Sequence, residues 1–406
     1  MKLLFLSLLD FDSIEDRNIY TDLLHTFIEN QHFVYIVSPI QKRMNRSETI
    51  IRGNNFVILK PVIGNITKTK LIEKGLSTIA LESKLLGIIK REVKDTIDLV
   101  LYSTPPITYL KILRHLKKKN NVYSYLLLKD IFPQNAVDLG ILSKKGLKGI
   151  LYKYFRIREK KLYELSDKIG CMSKANFEYI NTHNNIAKDK IEVNPNSIIP
   201  SYIKFDKKLI DSTRLKYKLP HTKTVFIYGG NLGKPQGIDS ILHFLKSNLM
   251  DSMSHFVIVG SGTEENKIRD FLHIYAPENI TLLPYLPHDE FEILVKSCDV
   301  GLIFLDGRFT IPNFPSRILS YMDAGLPILA ATDNTTDIKE LLITNNLGLW
   351  ASINNIDEIN KIKDYLLDKN IRISMGNNSR NYLIDNYKSV NSYNIIMNAY
   401  YQKRGL

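Results

Sequence analysis

The sequence predicts an α/β protein with two domains, each built around a parallel β-sheet. Apolar strand-like runs alternate with helical segments from the first residue onward, which is typical of parallel sheets with crossover helices. A length of 406 residues, of which 44% are hydrophobic, is sufficient for two domains with full cores. A polar, lysine-rich and proline-marked stretch in the middle of the chain predicts the connection between them.

The first predicted domain comprises residues 1–195, and the connection follows at 196–222. The domain begins with a strand and a helix from Tyr20 to Asn30. Its predicted strands are KLLFLSLL, FVYIVS, FVILKPV, DLVLYSTPP, VYSYLLLKDIFP and KIGCMS. The second domain comprises residues 223–381, with the strands TVFIYGG, HFVIVGSG, ITLLPYLP, DVGLIFL and PILAATD. A helical stretch at 382–406 ends the chain.

The composition indicates the cellular compartment of the protein. Cys171 and Cys298 both lie in apolar sequence, which indicates a reducing compartment and neither a disulfide nor a thiolate-bound metal. The N-terminal run LLFLSLL is followed by Asp10 and Asp12 and lacks a cleavage-site pattern, so it predicts a first strand rather than a signal peptide. No apolar stretch reaches the length of a membrane span. We therefore expect a cytoplasmic protein.

The most informative segment runs from residue 306 to residue 333, with the sequence DGRFTIPNFPSRILSYMDAGLPILAATD. It follows the apolar strand VGLIFL and contains Arg308, then Ser316 in position to cap a helix that Gly325 stops. A helix that begins at the carboxyl edge of a parallel sheet favours an anionic ligand. Arg317 in its first turn is unfavourable for the helix dipole unless an anion is present. Any α/β protein has such units, so the loop alone leaves a purely structural interpretation open.

The part of this segment that reads PSRILSYMDAGLPI resembles the motif PSKxxEYMAAGKPV of the family 4 glycosyltransferases, in their bacterial capsule and O-antigen assembly branch. The resemblance implies the GT-B fold, with two facing Rossmann-like domains and a last helix that crosses back to the first domain. It also implies a retaining enzyme that transfers a sugar from a nucleotide sugar, most simply a UDP-sugar such as one carrying an N-acetylated amino sugar, to a lipid-linked saccharide.

The sequence YGGNLGKPQG, residues 228–237, directly follows a predicted strand and carries glycines that let the backbone approach a diphosphate closely. The family usually has basic residues where this chain has Asn231 and Gln236. We therefore expect Lys234, Arg308 and Arg317 to neutralise the diphosphate, because the leaving group develops negative charge. The expected donor-binding residues are Gly230, Asn231, Gly233, Lys234, Arg308, Asn313, Phe314, Pro315, Ser316, Arg317 and Ser320, with the nucleotide base near Gly260, Tyr285 and Leu286.

The chain departs from the family pattern at several positions. Two family glutamates are replaced by Pro312 and Ser320, so we expect Ser320 to bind the ribose and the main chain around Asn313 to contact the sugar. The catalytic candidates are Lys129 and Asp130, which stand where many relatives have His-Asp. A strand-end capping role for Asp130 stays open.

The first loop also differs from the family, since SLLDFDSIED replaces its glycine-rich sequence. This makes Asp10 and Asp12 candidates for caps or acceptor contacts. No aspartate cluster with a partner on the donor face is evident, so we expect neither a metal nor another cofactor.

Most of the net charge of +13 comes from one region, because residues 111–168 contain 15 Lys or Arg and five Asp or Glu. The stretch 141–168 places Leu147 and Ile150 at helical spacing among basic residues, as in helices that lie on anionic lipid. The expected membrane residues are Lys144, Lys145, Lys148, Leu151, Lys153, Tyr154 and Phe155, on the inner face of the plasma membrane. An ordinary amphipathic helix with its apolar side in the core has the same pattern. No nucleic-acid-binding module is recognisable.

Two further functional classes stay open at this point. One is a sugar-nucleotide epimerase of similar shape, and the other is a non-catalytic relative that binds a sugar nucleotide or the membrane as a scaffold. The sequence does not name the sugar, the linkage, the acceptor or the oligomeric state.

Overall fold

The computed structural model describes residues 1–66, 71–119, 121–201 and 206–405. The chain forms two compact units. The N-terminal unit consists of Met1–Ser197 and Ser389–Leu406, and the C-terminal unit of Ile198–Lys388.

The N-terminal unit contains an eight-stranded sheet. The strands of the unit are β1 (Lys2–Leu6), β2 (Phe33–Val37), β3 (Ile40–Gln41), β4 (Thr49–Gly53), β5 (Phe56–Lys60), β6 (Val62–Ile63), β7 (Leu99–Thr104), β8 (Tyr123–Leu128), β9 (Lys168–Cys171) and β10 (Ile191–Val193). The sheet order is β10-β9-β8-β7-β1-β2-β5-β4, with β3 and β6 paired separately. All pairs are parallel except β4 with β5. The helices are α1 (Thr21–Glu29), α2 (Leu71–Glu92), α3 (Leu110–Lys119), α4 (Gln134–Asp138), α5 (Gly146–Leu165) and α6 (Lys174–His183).

The C-terminal unit contains a six-stranded, wholly parallel sheet in the order β13-β12-β11-β14-β15-β16. Its strands are β11 (Thr224–Asn231), β12 (Ser254–Ser261), β13 (Ile280–Leu283), β14 (Val300–Phe304), β15 (Ile328–Thr332) and β16 (Gly348–Ser352). Its helices are α7 (Lys207–Lys216), α8 (Ile238–Ser247), α9 (Glu265–Tyr275), α10 (His288–Lys296), α11 (Arg317–Asp323), α12 (Ile338–Thr344), α13 (Ile356–Tyr365) and α14 (Lys369–Asn386), after which α15 (Ser389–Arg404) belongs to the N-terminal unit.

Burial explains why these segments are strands. The central strands are continuous apolar runs rather than alternating ones, because helices cover both faces of a parallel sheet. In the C-terminal unit, Phe226, Phe244, Phe256 and Phe304 are all fully buried in one cluster. The α/β architecture with parallel sheets predicted from the sequence is confirmed.

Two stretches assigned to connections and termini have more structure than the sequence analysis gave them. Residues 207–216 of the expected connection form α7, whose Arg214 Nη2 lies 2.9 Å from Asp299 Oδ2. Residues 202–205 of that connection lie outside the described residues. The terminal helical stretch is two helices, and α15 packs Ile396 and Met397 into the core of the N-terminal unit.

Candidate functional site

The carboxyl edge of the second sheet brings the two glycine- and proline-rich segments together. Because β11 lies between β12 and β14, the strand order reverses at this point. Open parallel sheets bind ligands outside the carboxyl ends of their strands at such a reversal. The amide N of Asp306 donates to Pro235 O at 3.0 Å, which joins the loop after β14 to the turn after β11. The segments 228–237 and 306–317 therefore border one site.

The glycine-containing turn leaves room for the backbone to approach a ligand. Residues Lys234–Gln236 form a single 3₁₀ turn, and Gly237 precedes α8 with φ of 61°. Gly230 has φ of 127°, and a Cβ there would lie 3.6 Å from Arg317 Cζ. A side chain at position 230 would thus be strained by the backbone conformation, while its Cβ would make only an ordinary van der Waals contact with the guanidinium.

Arg317 is held by neutral groups. Its Nη2 donates to Gln236 Oε1, and its Cζ lies 4.5 Å from the centre of the Tyr228 ring. Its Nη1 is buried and has no hydrogen-bond partner within the described part of the chain. No carboxylate of the described ranges is within ion-pair distance of Arg317. Because nothing there neutralises this cation, the site is suited to an anionic group.

Ser316 occupies the N-cap position of α11, as the sequence predicts, but its hydroxyl makes no capping hydrogen bond. Its φ of −62° and ψ of −21° are already helical, whereas a capping side chain requires an extended residue. The expectation that this side chain caps the helix is therefore wrong. Ser316 is exposed, and its hydroxyl does not cap α11.

The other two expected cations differ in their surroundings. Arg308 is paired with Asp306 through Nε at 2.8 Å and Nη2 at 2.6 Å. Burial raises the pKa of Asp306, but the hydrogen bonds from Arg308 outweigh it and leave the pKa below its ordinary value. Arg308 must therefore exchange a partner before it binds a phosphate. Lys234 is exposed and makes no ion pair with any described carboxylate.

The remaining expected donor-binding residues lie on the same edge of the sheet. Phe314 is buried and packs edge-on against Tyr387, with ring centres 6.4 Å apart. Asn231 is exposed, and its amide lies next to the buried Gly233. Pro315 and Ser320 are partly exposed. These positions hold the loop and leave polar groups accessible.

The residues expected to bind the nucleotide base lie at the ends of β12 and β13. A Cβ on Gly260 would approach Gly230 O to 1.8 Å, so close packing of β12 on β11 explains this glycine without a ligand. Tyr285 is 73% exposed, and Leu286 is partly exposed. No described contact joins Tyr285 to the turn after β11.

Sequence reasoning missed two tyrosines that build the site. Tyr321 OH accepts a hydrogen bond from Gly229 N at 3.0 Å and donates to Leu302 O at 3.1 Å, which ties α11 to β11 and β14. Tyr228 carries the guanidinium of Arg317 on its ring. The sequence signal for Tyr228 was its position immediately before the glycines. It was not distinctive, because aromatic residues are common in strands and Tyr228 lies in one.

Asp130 follows β8 at the carboxyl edge of the first sheet. Its Oδ2 accepts from Asn135 Nδ2 at 2.6 Å, and its Oδ1 is buried without a hydrogen-bond partner among the described residues. Burial raises the pKa of Asp130 from 3.8 to about 6. Burial lowers the pKa of the neighbouring Lys129 from 10.5 to about 7. The bond to Asn135 accounts for one carboxylate oxygen of Asp130 and leaves the other for a ligand.

The first loop is held by a buried lysine that the sequence analysis did not single out. Lys60 is fully buried, and its Nζ lies 2.6 Å from Asp10 Oδ1 and 2.7 Å from Phe11 O. It also binds Asp12, which Arg46 contacts from the other side. Hydrogen bonding to Lys60 lowers the pKa of Asp12. Asp10 and Asp12 are thus internally paired and shape the loop.

The N-terminal half of helix α5 exposes its apolar side chains, whereas Leu162 and Tyr163 near its end are buried. Leu147 is 87% exposed and Ile150 is 68% exposed, and Leu151, Tyr154 and Ile157 continue the exposed row. Phe155, which we expected in this row, is partly buried against Phe132 at a ring distance of 5.0 Å. The N-terminal half of the helix therefore lacks the buried apolar side of an ordinary amphipathic helix.

No group of three or more His, Cys, Asp or Glu side chains within the described ranges could hold a metal ion. No helix there is both long and apolar enough to cross a membrane.

Comparison with known proteins agrees with this geometry. Residues 210–382 match the family described as Glycosyl transferases group 1. Over 326 residues the chain is 23% identical to the probable glycosyltransferase WbjE of Pseudomonas aeruginosa, and the match covers 79% of this chain and 78% of that protein.

Solved structures share the fold over nearly the whole chain. WaaG, a glycosyltransferase involved in lipopolysaccharide biosynthesis, matches with a TM-score of 0.69 at 13% identity, covering 97% of this chain and 98% of its own. Anabaena Alr3699/HepE in complex with UDP-glucose matches with a TM-score of 0.68 at 14% identity, covering 98% of each chain.

The fold is therefore GT-B, as the motif resemblance implied. The family match in the C-terminal unit and the similarity to WbjE over 79% of the chain support a glycosyltransferase, and its fold is of the GT-B type.

Proposed function

We propose that this protein is a retaining glycosyltransferase of family 4, in the capsule and O-antigen assembly branch, that transfers a sugar from a UDP-sugar to a lipid-linked saccharide. The observation that carries the proposal is the guanidinium of Arg317, which lies at the strand-order reversal with a buried Nη1 and no carboxylate partner among the described residues. A nucleoside diphosphate supplies the anion that such a cation lacks.

The choice of UDP as the nucleotide rests on the cations at the carboxyl edge of the second sheet and on the similarity to Alr3699/HepE. Lys234 adds a second cation without an ion pair in the described ranges, and Arg308 adds a third if it releases Asp306. Three side-chain cations can neutralise a diphosphate without a metal, so we propose a metal-independent reaction with no further cofactor. Alr3699/HepE was solved with UDP-glucose. We propose the same nucleotide for this chain, with a hexose or an N-acetylated amino sugar attached.

In the proposed reaction the acceptor hydroxyl attacks the anomeric carbon on the face that the diphosphate leaves. The bond from that carbon to the diphosphate oxygen breaks, and the leaving phosphate takes the proton of the attacking hydroxyl. Arg317 and Lys234 stabilise the charge that develops on the diphosphate. We assign Asp130 and Lys129 to orientation of the acceptor sugar, because both side chains are desolvated and Asp130 has an unused oxygen.

The proposed acceptor is anchored in the inner leaflet of the plasma membrane, and α5 supports that assignment. Its exposed row of Leu147, Ile150 and Leu151 is flanked by exposed Lys144, Lys145, Lys148 and Lys153. Apolar side chains that insert at the headgroup level, with lysines on anionic headgroups, are the make-up of interfacial helices. We therefore propose a peripheral membrane protein.

Turnover of a panel of nucleotide sugars, with and without lipid-linked acceptor, tests the function. A transferase releases UDP at an acceptor-dependent rate, with the product linkage retaining the configuration of the donor. An epimerase converts the donor without acceptor, and a scaffold releases nothing while still binding UDP. Conversion of the donor without acceptor contradicts a transferase, and UDP binding without release contradicts an enzyme. UDP release that requires Mg²⁺ and is lost with EDTA contradicts the metal-independent reaction.

A further inference from the structure

Asp333 is a buried carboxylate that the proposed transfer does not use. It is 4% exposed and directly follows β15. Its Oδ1 accepts from the amides of Thr335 at 2.8 Å and Thr336 at 3.1 Å, and from the hydroxyl of Thr335 at 2.5 Å. Its Oδ2 is buried and accepts no hydrogen bond from the described residues.

Asn313 has a buried hydrogen-bond donor without an acceptor, whereas Asp333 has a buried acceptor without a donor, both among the described residues. Its Nδ2 is buried and donates to no described acceptor. Its main-chain O accepts from Thr336 Oγ1 at 2.7 Å, and Thr336 N donates to Asp333, so one threonine fastens both residues. Thr335 Oγ1 also lies 3.1 Å from Ile311 O, so its one hydroxyl hydrogen is shared between Ile311 O and Asp333 Oδ1, and the loop before Asn313 lies against the turn after Asp333.

A turn-forming role explains only one of the two carboxylate oxygens of Asp333. The turn needs one oxygen that accepts from Thr335 and Thr336, and an asparagine provides that oxygen equally well. A second carboxylate oxygen buried without a partner is costly. Burial raises the pKa of Asp333 above its ordinary value, even though the hydrogen bonds from Thr335 and Thr336 oppose this shift.

The missing partners are those of a hydroxyl group. A hydroxyl donates one hydrogen bond and accepts others, so a single hydroxyl can donate to Asp333 Oδ2 and accept from Asn313 Nδ2. Asn313 lies in the loop that leads into α11, four positions before Arg317 at the start of that helix. A sugar attached to a diphosphate bound at Arg317 carries hydroxyl groups in this neighbourhood.

We propose that the side chains of Asn313 and Asp333 together bind one hydroxyl group of the transferred sugar and so contribute to donor specificity. The inference rests on the proposed function, since it takes a nucleotide sugar as the ligand. The competing occupant is an ordered water, which also donates and accepts.

The variant Asp333→Asn tests the pair with little disturbance of the turn. An asparagine keeps an oxygen for Thr335 and Thr336 and replaces Oδ2 by an NH₂ group, which repels a hydroxyl hydrogen. Asn313→Ala removes the complementary donor. Thr335→Val is the matched control, because it loosens the turn and leaves Oδ2 and Nδ2 unchanged.

Titration calorimetry compares UDP with UDP-glucose, UDP-galactose, UDP-N-acetylglucosamine and UDP-N-acetylgalactosamine. We expect Asp333→Asn and Asn313→Ala to bind UDP within twofold of the parent protein, and to bind the parent's preferred UDP-sugar about tenfold more weakly. Thr335→Val should change both affinities by the same factor.

Two results overturn the inference. Equal losses for UDP and UDP-sugar in Asp333→Asn mean that the pair shapes the loop, and no loss for either ligand means that the pair holds water. A parent protein that binds no UDP contradicts the proposed function itself, which separates the two failures. Deoxy analogues of the preferred sugar then identify the hydroxyl, because the relevant analogue should bind the parent and Asp333→Asn equally.

Discussion

The guanidinium of Arg317 stacks on the ring of Tyr228, with Cζ 4.5 Å from the ring centre. Since Tyr228 precedes the glycines after β11 and Arg317 begins α11, this contact joins the two segments that border the candidate site. A cation held by a ring and an amide keeps its charge available for a ligand.

Replacing Arg317 by Ala should weaken UDP binding by about 1.5–3 kcal/mol, the scale of a charge-assisted hydrogen bond. Titration calorimetry at low ionic strength measures this directly. Arg317→Lys should recover only part of the loss, because an ammonium cannot keep the bond to Gln236 and bind a phosphate with the same geometry.

The matched control for Arg317 is Arg269→Ala on α9. Arg269 is exposed and paired with Glu265 at 2.6 Å, so its removal changes the net charge equally without touching the site. Unchanged UDP affinity in Arg317→Ala, Arg308→Ala and Lys234→Ala alike would remove the basis of the phosphate assignment.

Arg308→Ala should cost less UDP affinity than Arg317→Ala, because Arg308 must first leave Asp306, to which it is bound at 2.6 Å. Conversely, Asp306→Asn should release Arg308 and strengthen UDP binding by about 0.5–1 kcal/mol. The same calorimetric series measures both effects. If Asp306→Asn weakens binding, Asp306 itself contributes to the site and Arg308 serves to hold it.

The substitution Asp130→Asn should lower the turnover rate and raise the free energy of unfolding. The pKa of Asp130 is raised from 3.8 to about 6, so the folded state binds this proton more tightly than the unfolded state. The stability contribution of the group is therefore present below pH 3.8 and is lost as pH rises through about 6. Burial is the main cause of the raised pKa of Asp130; the hydrogen bond from Asn135 opposes it, and the charge of Glu159 adds a smaller increase.

The stability gain of Asp130→Asn over the parent should accordingly grow between about pH 4 and pH 6 and reach roughly 2–3 kcal/mol above pH 6. Denaturant unfolding at several pH values measures it. Turnover should fall while UDP affinity stays unchanged. A merely structural Asp130 would show full turnover per folded molecule in the asparagine variant.

Reversing Lys144, Lys145, Lys148 and Lys153 to Glu should abolish binding to vesicles that contain anionic lipid, since each basic residue near such a surface contributes about 1 kcal/mol. Parent binding should be lost at high salt. Transfer to a lipid-linked acceptor should slow, whereas transfer to a short soluble acceptor should change little. Vesicle cosedimentation and parallel turnover assays measure these effects.

The control reverses four exposed lysines of the C-terminal unit, Lys207, Lys208, Lys361 and Lys369, which changes the net charge by the same amount. It should leave vesicle binding largely intact. Leu147→Ser with Ile150→Ser tests insertion, since both side chains are mostly exposed and their loss should weaken vesicle binding without unfolding the helix. Equal loss of turnover on both acceptors would show that the basic patch shapes the acceptor site instead.

Local patterns in the sequence determined the elements and part of the site. The apolar runs predicted β1, β2, β5, β7, β8 and β9 of the first sheet and β11 to β15 of the second, but not β4, β10 or β16. The motif PSRILSYM placed the start of α11 at Arg317, as found. Such features depend on residues close in sequence, because strand burial and helix boundaries follow from periodicity, caps and stop signals. The same patterns placed Asp130 at a strand end.

Only the tertiary structure decided which groups stand together. Gln236 and Arg317 lie 81 positions apart and meet because β14 inserts beside β11 in the sheet, a strand order that no local pattern specifies. The pairing of Lys60 with Asp10 and the exposure of the apolar row of α5 depend likewise on where whole elements pack. A charged residue looks the same in the sequence whether it is paired or unpaired, and an apolar residue whether it is buried or exposed. Its partners and its solvent exposure are fixed only when distant segments assemble.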